Sequence, residues 1–378
     1  MSRPPRTAES AGALARGFNE FALRLFQRLA TGATSQNVFI SPFGIAAALL
    51  TLHAGAAGKT RRALAETLSL DAAGAGDPGE AYAALLASVG DDPAAGGELS
   101  IAISLWAREG LGLRPDFLSA AQGRLGATAS ALHPDARTAA RGINAWVKEK
   151  TGGRIGEMIK PEALGATTLL VLLSAVYFKG VWKTRFDEAR TMAGEFSARG
   201  GRKSLPMMSQ SGTFKYSEDA RLRAVKLPYG GDRRSMLIFL PTDDAAFLEF
   251  LSGLSPRGWQ QRLAALRETA GEVVLPRFEL CYETPLEETL GDLGAALALR
   301  PGADFSALCD APAFVTEVRH KATVAVTEEG TVAAAVTSAV VGRSLSRGFR
   351  LVVDRPFFCV IKDNATDLIL FAGAVTSP

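Results

Sequence analysis

The stretch FGIAAALLTL, residues 43–52, carries no charge and has no polar face, and a helix that is apolar all round must be covered on every side. It follows a brief strand-like NVFI and then Ser41 and Pro42, an N-cap and a first-turn proline that fix where the helix starts. A second, largely apolar run, ATTLLVLLSAVYFKGVW at 166–182, suits a strand buried on both faces. Their longest apolar stretches, FGIAAALLTL and LLVLLSAVYF, are about half the length that crosses a bilayer, so neither reads as a membrane span. They are read as the interior of the fold.

The remaining elements arrange themselves around that interior. Leu14, Phe18, Phe21, Ala22, Leu25 and Leu29 recur every three or four residues and predict an amphipathic helix closed by Gly32. Residues 71–97 are punctuated by Gly, Asp and Pro around a short Ala-rich helix. LSIAISLWA (99–107) alternates like a strand, and TAARGINAWVKEKTGG (138–153) has helical spacing. AVKLPYGGDRRSMLIFLP (224–241) predicts a hairpin about Gly230 and Gly231, and further strands follow in GEVVLPRFEL, RHKATVAVTEEG, LVVDRPFFCVIKD and LILFAGAVTSP. Helices dominate early and strands late, with no repeat and no linker, which reads as one α+β domain spanning 1–378.

Composition narrows the function. With 47% hydrophobic and 21% charged residues the chain is globular, and a net charge of +3 is far below that of a dedicated nucleic-acid binder. Three cysteines, Cys281, Cys309 and Cys359, do not form a disulfide framework, although one bridge stays open. MSRPPRTAES has no apolar signal core, so the compartment is unknown: the chain either stays inside or has lost a leader.

Several motifs tempt. HAGAAGKT (53–60) nearly spells a phosphate-binding loop, but His53 stands where the first glycine belongs and a helix, not a strand, precedes it. His53, His133 and His320 are far apart and lack neighbours at metal-ligand spacing, and no nucleophile elbow occurs. No catalytic residue, metal or cofactor is expected. Asn364 opens a glycosylation pattern, NAT, that occurs often by chance.

The segment EEGTVAAAVTSAVVGRSLSRG, 328–348, is different in kind. From Thr331 to Gly342 it has no charge and a strand-like composition, yet Glu328, Glu329, Arg343 and Arg347 bracket it like a surface loop. Such a segment normally invites edge pairing and aggregation.

NVFISPFGIAAALLTLHAGAAGKT, LLSAVYFKGVWKTRFD, MMSQSGTFKY, VKLPYGGDRRSMLIFLP, VLPRFEL, ADFSAL, VRHKATVAVTEEGTVAAAV and DRPFFCVIKDNATDLILFAGAV resemble the serpin family, in the family's order and over nearly the whole chain. The resemblance implies three β-sheets, about nine helices and an exposed reactive-centre loop at about 328–348. It implies a suicide-substrate inhibitor, not an enzyme, whose partner is a serine protease held as a covalent acyl complex. The loop is then a withheld strand. Glu328, Glu329, Gly330, Thr331, Val332, Ala333, Ala334, Ala335 and Val336 would form its hinge, with Val332 where many members have Glu. A non-inhibitory carrier or chaperone, the alternative function, would be expected to have bulky, charged or Pro residues in the hinge, and Gly330, Thr331 and Ala333 to Ala335 show none. Trp182, Arg277 and Glu328 match a cluster at the top of the central sheet, the breach. Ser41, Ser174 and His320 match the shutter beneath it, with Ser174 where the family usually has Asn and Gly44 where a second Ser is common.

Two arguments place the reactive bond. The resemblance implies a recognised residue fifteenth when Gly330 counts as first, which is Ser344, with cleavage before Leu345 and an elastase-like or subtilisin-like target. Arg343 is the first charged side chain after twelve uncharged residues, suits a trypsin-type pocket, and selects Arg343–Ser344, which is favoured. A cysteine protease is a further alternative target. The helix after Pro78 has no basic face, so heparin is not expected as a partner, and the chain is expected to be a monomer with a risk of loop–sheet polymerisation.

Overall fold

The computed structural model describes residues 6–32, 36–70, 74, 76–90, 97–330 and 348–378. The expected buried helix is α2 (Pro42–Gly55), preceded by α1 (Arg6–Gly32) and followed by α3 (Gly58–Thr67). Ser41 Oγ accepts from the Gly44 N–H at 3.1 Å, so the predicted N-cap forms. Every residue of α2 except Ala54 is buried, because it packs on α1 and α3 and on strands of both sheets. Further helices span Pro78–Val89, Pro115–Leu125, Ala136–Lys150, Asp244–Ser252, Pro256–Ala265 and Glu287–Asp292. HAGAAGKT is the end of α2 and the start of α3, with Ala56 N–H donating to His53 O; the strand that a phosphate loop requires is missing there.

The strands are β1 (Val38–Ile40), β2 (Glu98–Arg108), β3 (Thr128–Leu132), β4 (Leu170–Lys179), β5 (Met192–Ala198), β6 (Gly201–Glu218), β7 (Leu222–Pro228), β8 (Arg234–Pro241), β9 (Arg267–Pro276), β10 (Phe278–Pro285), β11 (Val315–Val326), β12 (Phe349–Val352), β13 (Phe357–Asp363) and β14 (Ile369–Val375). One sheet has the order β10-β11-β4-β2-β3; the other runs β1-β14-β13-β8-β7-β6-β9-β12, with β5 paired to β6. Among the described residues the strands thus form two hydrogen-bonded networks. Two of the three expected sheets are continuous through the 18-residue β6, which pairs with β5 and β9 along its length and with β7 at its end.

In the five-stranded sheet β11 pairs directly and in parallel with β4, from Val315–Leu170 to Val324–Phe178. Leu170, Leu172, Val176 and Phe178 of β4 face the main core, while Val171, Leu173 and Ala175 meet Ala139, Ala140, Ile143 and Val147 of the helix Ala136–Lys150. Two covered faces explain why this strand reads as an unbroken apolar run. The chain after that helix returns across the sheet. Arg154 lies over the Tyr177 ring of β4 at 5.3 Å, and Lys321 of β11 donates to Glu157 O at 2.6 Å. No helix of the described residues is long and apolar enough to cross a membrane.

The returning segment is held by one amide. Asn144 Oδ1 accepts from the Met158 and Ile159 N–H groups at 2.8 and 3.1 Å, and its Nδ2 donates to Ile159 O at 2.9 Å. Met158 and Ile159 are buried, so Asn144→Ala leaves two backbone donors unpaired. Urea unfolding should show a loss of about 2–3 kcal/mol, as a lower midpoint at unchanged slope.

Candidate functional site

β11 ends in a tight turn. Thr327 N–H donates to Gly330 O at 2.8 Å, and Gly330 N–H donates back to Thr327 O at 3.1 Å. Gly330 has φ +110°, and a Cβ there would lie 2.2 Å from Gly180 O, so both the conformation and the close approach require glycine. The turn docks on the chain that leaves β4: Trp182 N–H donates to Glu329 O at 3.1 Å and Phe186 N–H to Glu328 O at 2.9 Å. Gly330 forms a bridge with Val181. The upper ends of β4 and β11 are therefore tied by residues 328–330.

Glu328 lies at the centre of this tie and is only 2% exposed. Its Oε1 accepts from Arg277 Nη2 at 2.5 Å and from Thr191 Oγ1 at 2.7 Å. Burial works against the ionised carboxyl, but the hydrogen bonds from Arg277, Thr191 and its own backbone, with the Arg277 charge, hold its pKa below the ordinary value. Trp182 stacks on Tyr229 with centroids 4.4 Å apart, meets Phe186 edge-on, and donates from Nε1 to Thr327 O at 2.9 Å. The geometry brings Trp182, Arg277 and Glu328 together. Thr191, Phe186 and Tyr229 were not singled out from the sequence; Tyr229 sits in the quoted LPYGG, but no residue pattern marks Thr191 as a carboxylate donor.

Midway down the same seam, His320 of β11 is in register with Ser174 of β4 and wholly buried. Ser41 N–H donates to Nε2 at 2.9 Å, which assigns the ring proton to Nδ1, 3.1 Å from Ser174 Oγ. Ser41 Oγ donates to Leu370 O of β14 at 2.7 Å, joining the seam to the second sheet. A Cβ on Gly44 would lie 2.4 Å from Val176 Cγ2 and 2.7 Å from Ser174 Oγ, which accounts for glycine where the family commonly has serine.

Thr331, Val332, Ala333, Ala334, Ala335 and Val336 of the hinge, and Arg343, Ser344 and Leu345, lie outside the described residues. Among the described residues no three His, Cys, Asp or Glu side chains converge as metal ligands. Cys281, Cys309 and Cys359 are free thiols. Asn364 Nδ2 donates to Asp232 O and Ser235 Oγ at 2.7 and 2.8 Å, so its amide is engaged in the fold.

The seam makes stability depend on pH. Burial, partly offset by a hydrogen bond that the ring donates to Ser174, lowers the His320 pKa from 6.5 to about 3. The unfolded chain takes up a proton below about 6.5 and the folded chain does not until about 3, so stability falls as pH drops through that window. Between pH 7 and 5 the loss should be on the order of 2 kcal/mol. Glu328, with its lowered pKa, adds a second loss as pH falls below the ordinary carboxylate value. Denaturation curves across pH 5–7 test this: His320→Gln should flatten the dependence, and an unchanged slope would exclude His320 as its source.

A family model described as Serpin (serine protease inhibitor) matches residues 16–378. Serpin-ZXA of Oryza sativa subsp. japonica is 34% identical over 95% of this chain and 96% of that protein. Leukocyte elastase inhibitor of Bos taurus is 34% identical over 95% of this chain and 97% of that protein. Among solved structures, native protease nexin-1 with heparin superposes at TM-score 0.87 and 26% identity, covering 97% of this chain and 99% of that one. The thermophilic serpin tengpin in its native state gives 0.86 and 26%, covering 96% and 94%. The chain belongs to the serpin family, the serine protease inhibitors, and has the serpin fold.

Proposed function

We propose that this serpin inhibits trypsin-like serine proteases as a suicide substrate, acting as one monomeric domain. The observation that carries the proposal is the parallel β4–β11 pair. A strand that leaves the top of β11 through the Thr327–Gly330 turn and runs back down is antiparallel to β11, and hence to β4 as well. It can pair on both edges. The protease serine attacks the Arg343 carbonyl, the Ser344 amine leaves with the proton, and an acyl-enzyme remains. The fourteen residues from Gly330 to Arg343 then span about 45 Å as a strand, enough to carry the tethered protease a molecular length. Alternate residues Thr331, Ala333, Ala335, Thr337, Ala339 and Val341 share a face that is small or β-branched, which a sheet can admit.

The count of fifteen from Gly330 supports a second reactive bond, Ser344–Leu345, and a relative named leukocyte elastase inhibitor fits that specificity. Arg343 remains favoured because a trypsin-type pocket gains charge complementarity from it. The helix Pro78–Val89 has no Lys or Arg, which supports little acceleration by heparin.

Incubation with trypsin should yield a complex that survives denaturing electrophoresis, and Arg343→Ala should abolish it. A released peptide beginning at Leu345, with Arg343→Ala still inhibiting, would move the bond to Ser344; cleavage without any complex would make the chain a non-inhibitory binding protein. Cutting the loop with a non-target protease should raise the melting temperature by about 20 °C or more, since insertion adds on the order of 10 kcal/mol. An unchanged melting curve would sink the insertion step.

A further inference from the structure

We infer that the solvent face formed by Arg190, Met192, Glu272 and Arg350 is a second contact for the target protease, one that selects enzymes with an acidic rim around the active-site cleft. This rests on the inhibitory reading above and adds to it a determinant outside the loop. Arg190 Nη2 and Arg350 Nε both pair with Glu272, at 2.9 and 2.8 Å, so one carboxylate faces two guanidiniums and the row keeps a positive charge. Arg350 remains 66% exposed in its side chain, and Met192, two residues along the chain from Arg190, is 73% exposed. Met192 and Leu248 are the only exposed large hydrophobic residues among those described, and Met192 is the one close in the chain to this charged row.

The position follows from chain connectivity. β12 starts immediately after the loop, and its first residue is pinned: the Phe349 ring stacks on Tyr216 with centroids 3.8 Å apart. Arg343 is seven residues before Arg350, a reach of at most about 25 Å. A protease domain of roughly 220 residues has a radius of gyration of about 17 Å, so one holding residue 343 in its cleft overhangs this face. From 331 to 353 the chain contains Arg343, Arg347 and Arg350 and no acidic residue, so with Arg190 set against the single carboxylate of Glu272 this side of the molecule carries a net positive charge. Such a field raises the encounter rate of an oppositely charged partner and is screened by salt.

The test compares rates of capture of an anionic and a cationic trypsin by the full chain. The anionic enzyme should react about tenfold faster at low ionic strength, with the gap closing near 1 M salt. Arg190→Ala with Arg350→Ala should slow the anionic enzyme several-fold while leaving the cationic rate and the stoichiometry of inhibition unchanged. Glu272→Gln should act in the opposite direction, which a folding defect would not produce. Arg61→Ala with Arg62→Ala, the same change in net charge on α3, should have no effect. Equal anionic rates in the wild type and both local variants would overturn the inference. If neither trypsin forms a covalent complex, the inhibitory reading fails, and the rate of loop cleavage still reports whether this face steers the encounter.

Discussion

The parallel pairing of β4 with β11 is the constraint on which the rest of the molecule depends. A parallel pair is slightly less stable per residue than an antiparallel one, and here it is built from a strand buried on both faces and a strand that ends in a long uncharged segment. Three separate devices hold it. Glu328, with Arg277 and Thr191, ties the upper end; His320, between Ser41 and Ser174, fills the middle; and the segment anchored by Asn144 crosses the outer face onto Tyr177 and Lys321. None of these is needed simply to cover apolar area, since the helix Ala136–Lys150 and α2 already do that.

The devices differ in how they respond to solvent. The Glu328 pair is charged, and its Arg277 partner is half exposed, so salt and acid both reach it. His320 is buried and neutral, so salt scarcely touches it and acid does so only by forcing a proton into an apolar site. The Ser41 hydroxyl extends the middle device to Leu370, which means that parting β4 from β11 also disturbs the second sheet. A strand entering this sheet would therefore be felt across the molecule.

Much of the fold was legible because local chemistry and burial agree. FGIAAALLTL has no polar face and is buried; LLVLLSAVYF is apolar throughout and has two covered faces; Gly231 adopts φ +70° at the predicted hairpin turn. The continuity of two expected sheets was not legible, since β6 holds partners on both sides and its sequence does not record how far each pairing runs. At the site, Trp182, Arg277 and Glu328 came from resemblance, not from periodicity. Thr191 and Asn144 escaped notice because one hydroxyl or amide among many becomes important only through the backbone or side chain it meets in the fold, 137 residues away for Thr191 and Glu328 and 14 for Asn144 and Met158. Gly44 looked like a departure from the family until Val176 and Ser174 were seen to occupy the space a side chain would need.

The proposed strand insertion would also explain why a molecule holds its seam with polar locks. Opening the seam breaks one parallel ladder, and admitting a strand creates two antiparallel ladders, so the finished sheet gains at least one ladder's worth of hydrogen bonds and the burial that goes with it. The locks oppose this with a few hydrogen bonds, each worth roughly 0.5–3 kcal/mol. On that proposal they would not make the closed sheet the more stable state; they would only make it slow to leave. That is what the inhibitory proposal requires, because the energy must be withheld until the loop is cut. Gly330 is held against Val181 by the close approach of backbone to backbone, and on the insertion proposal it would be the first residue to let go.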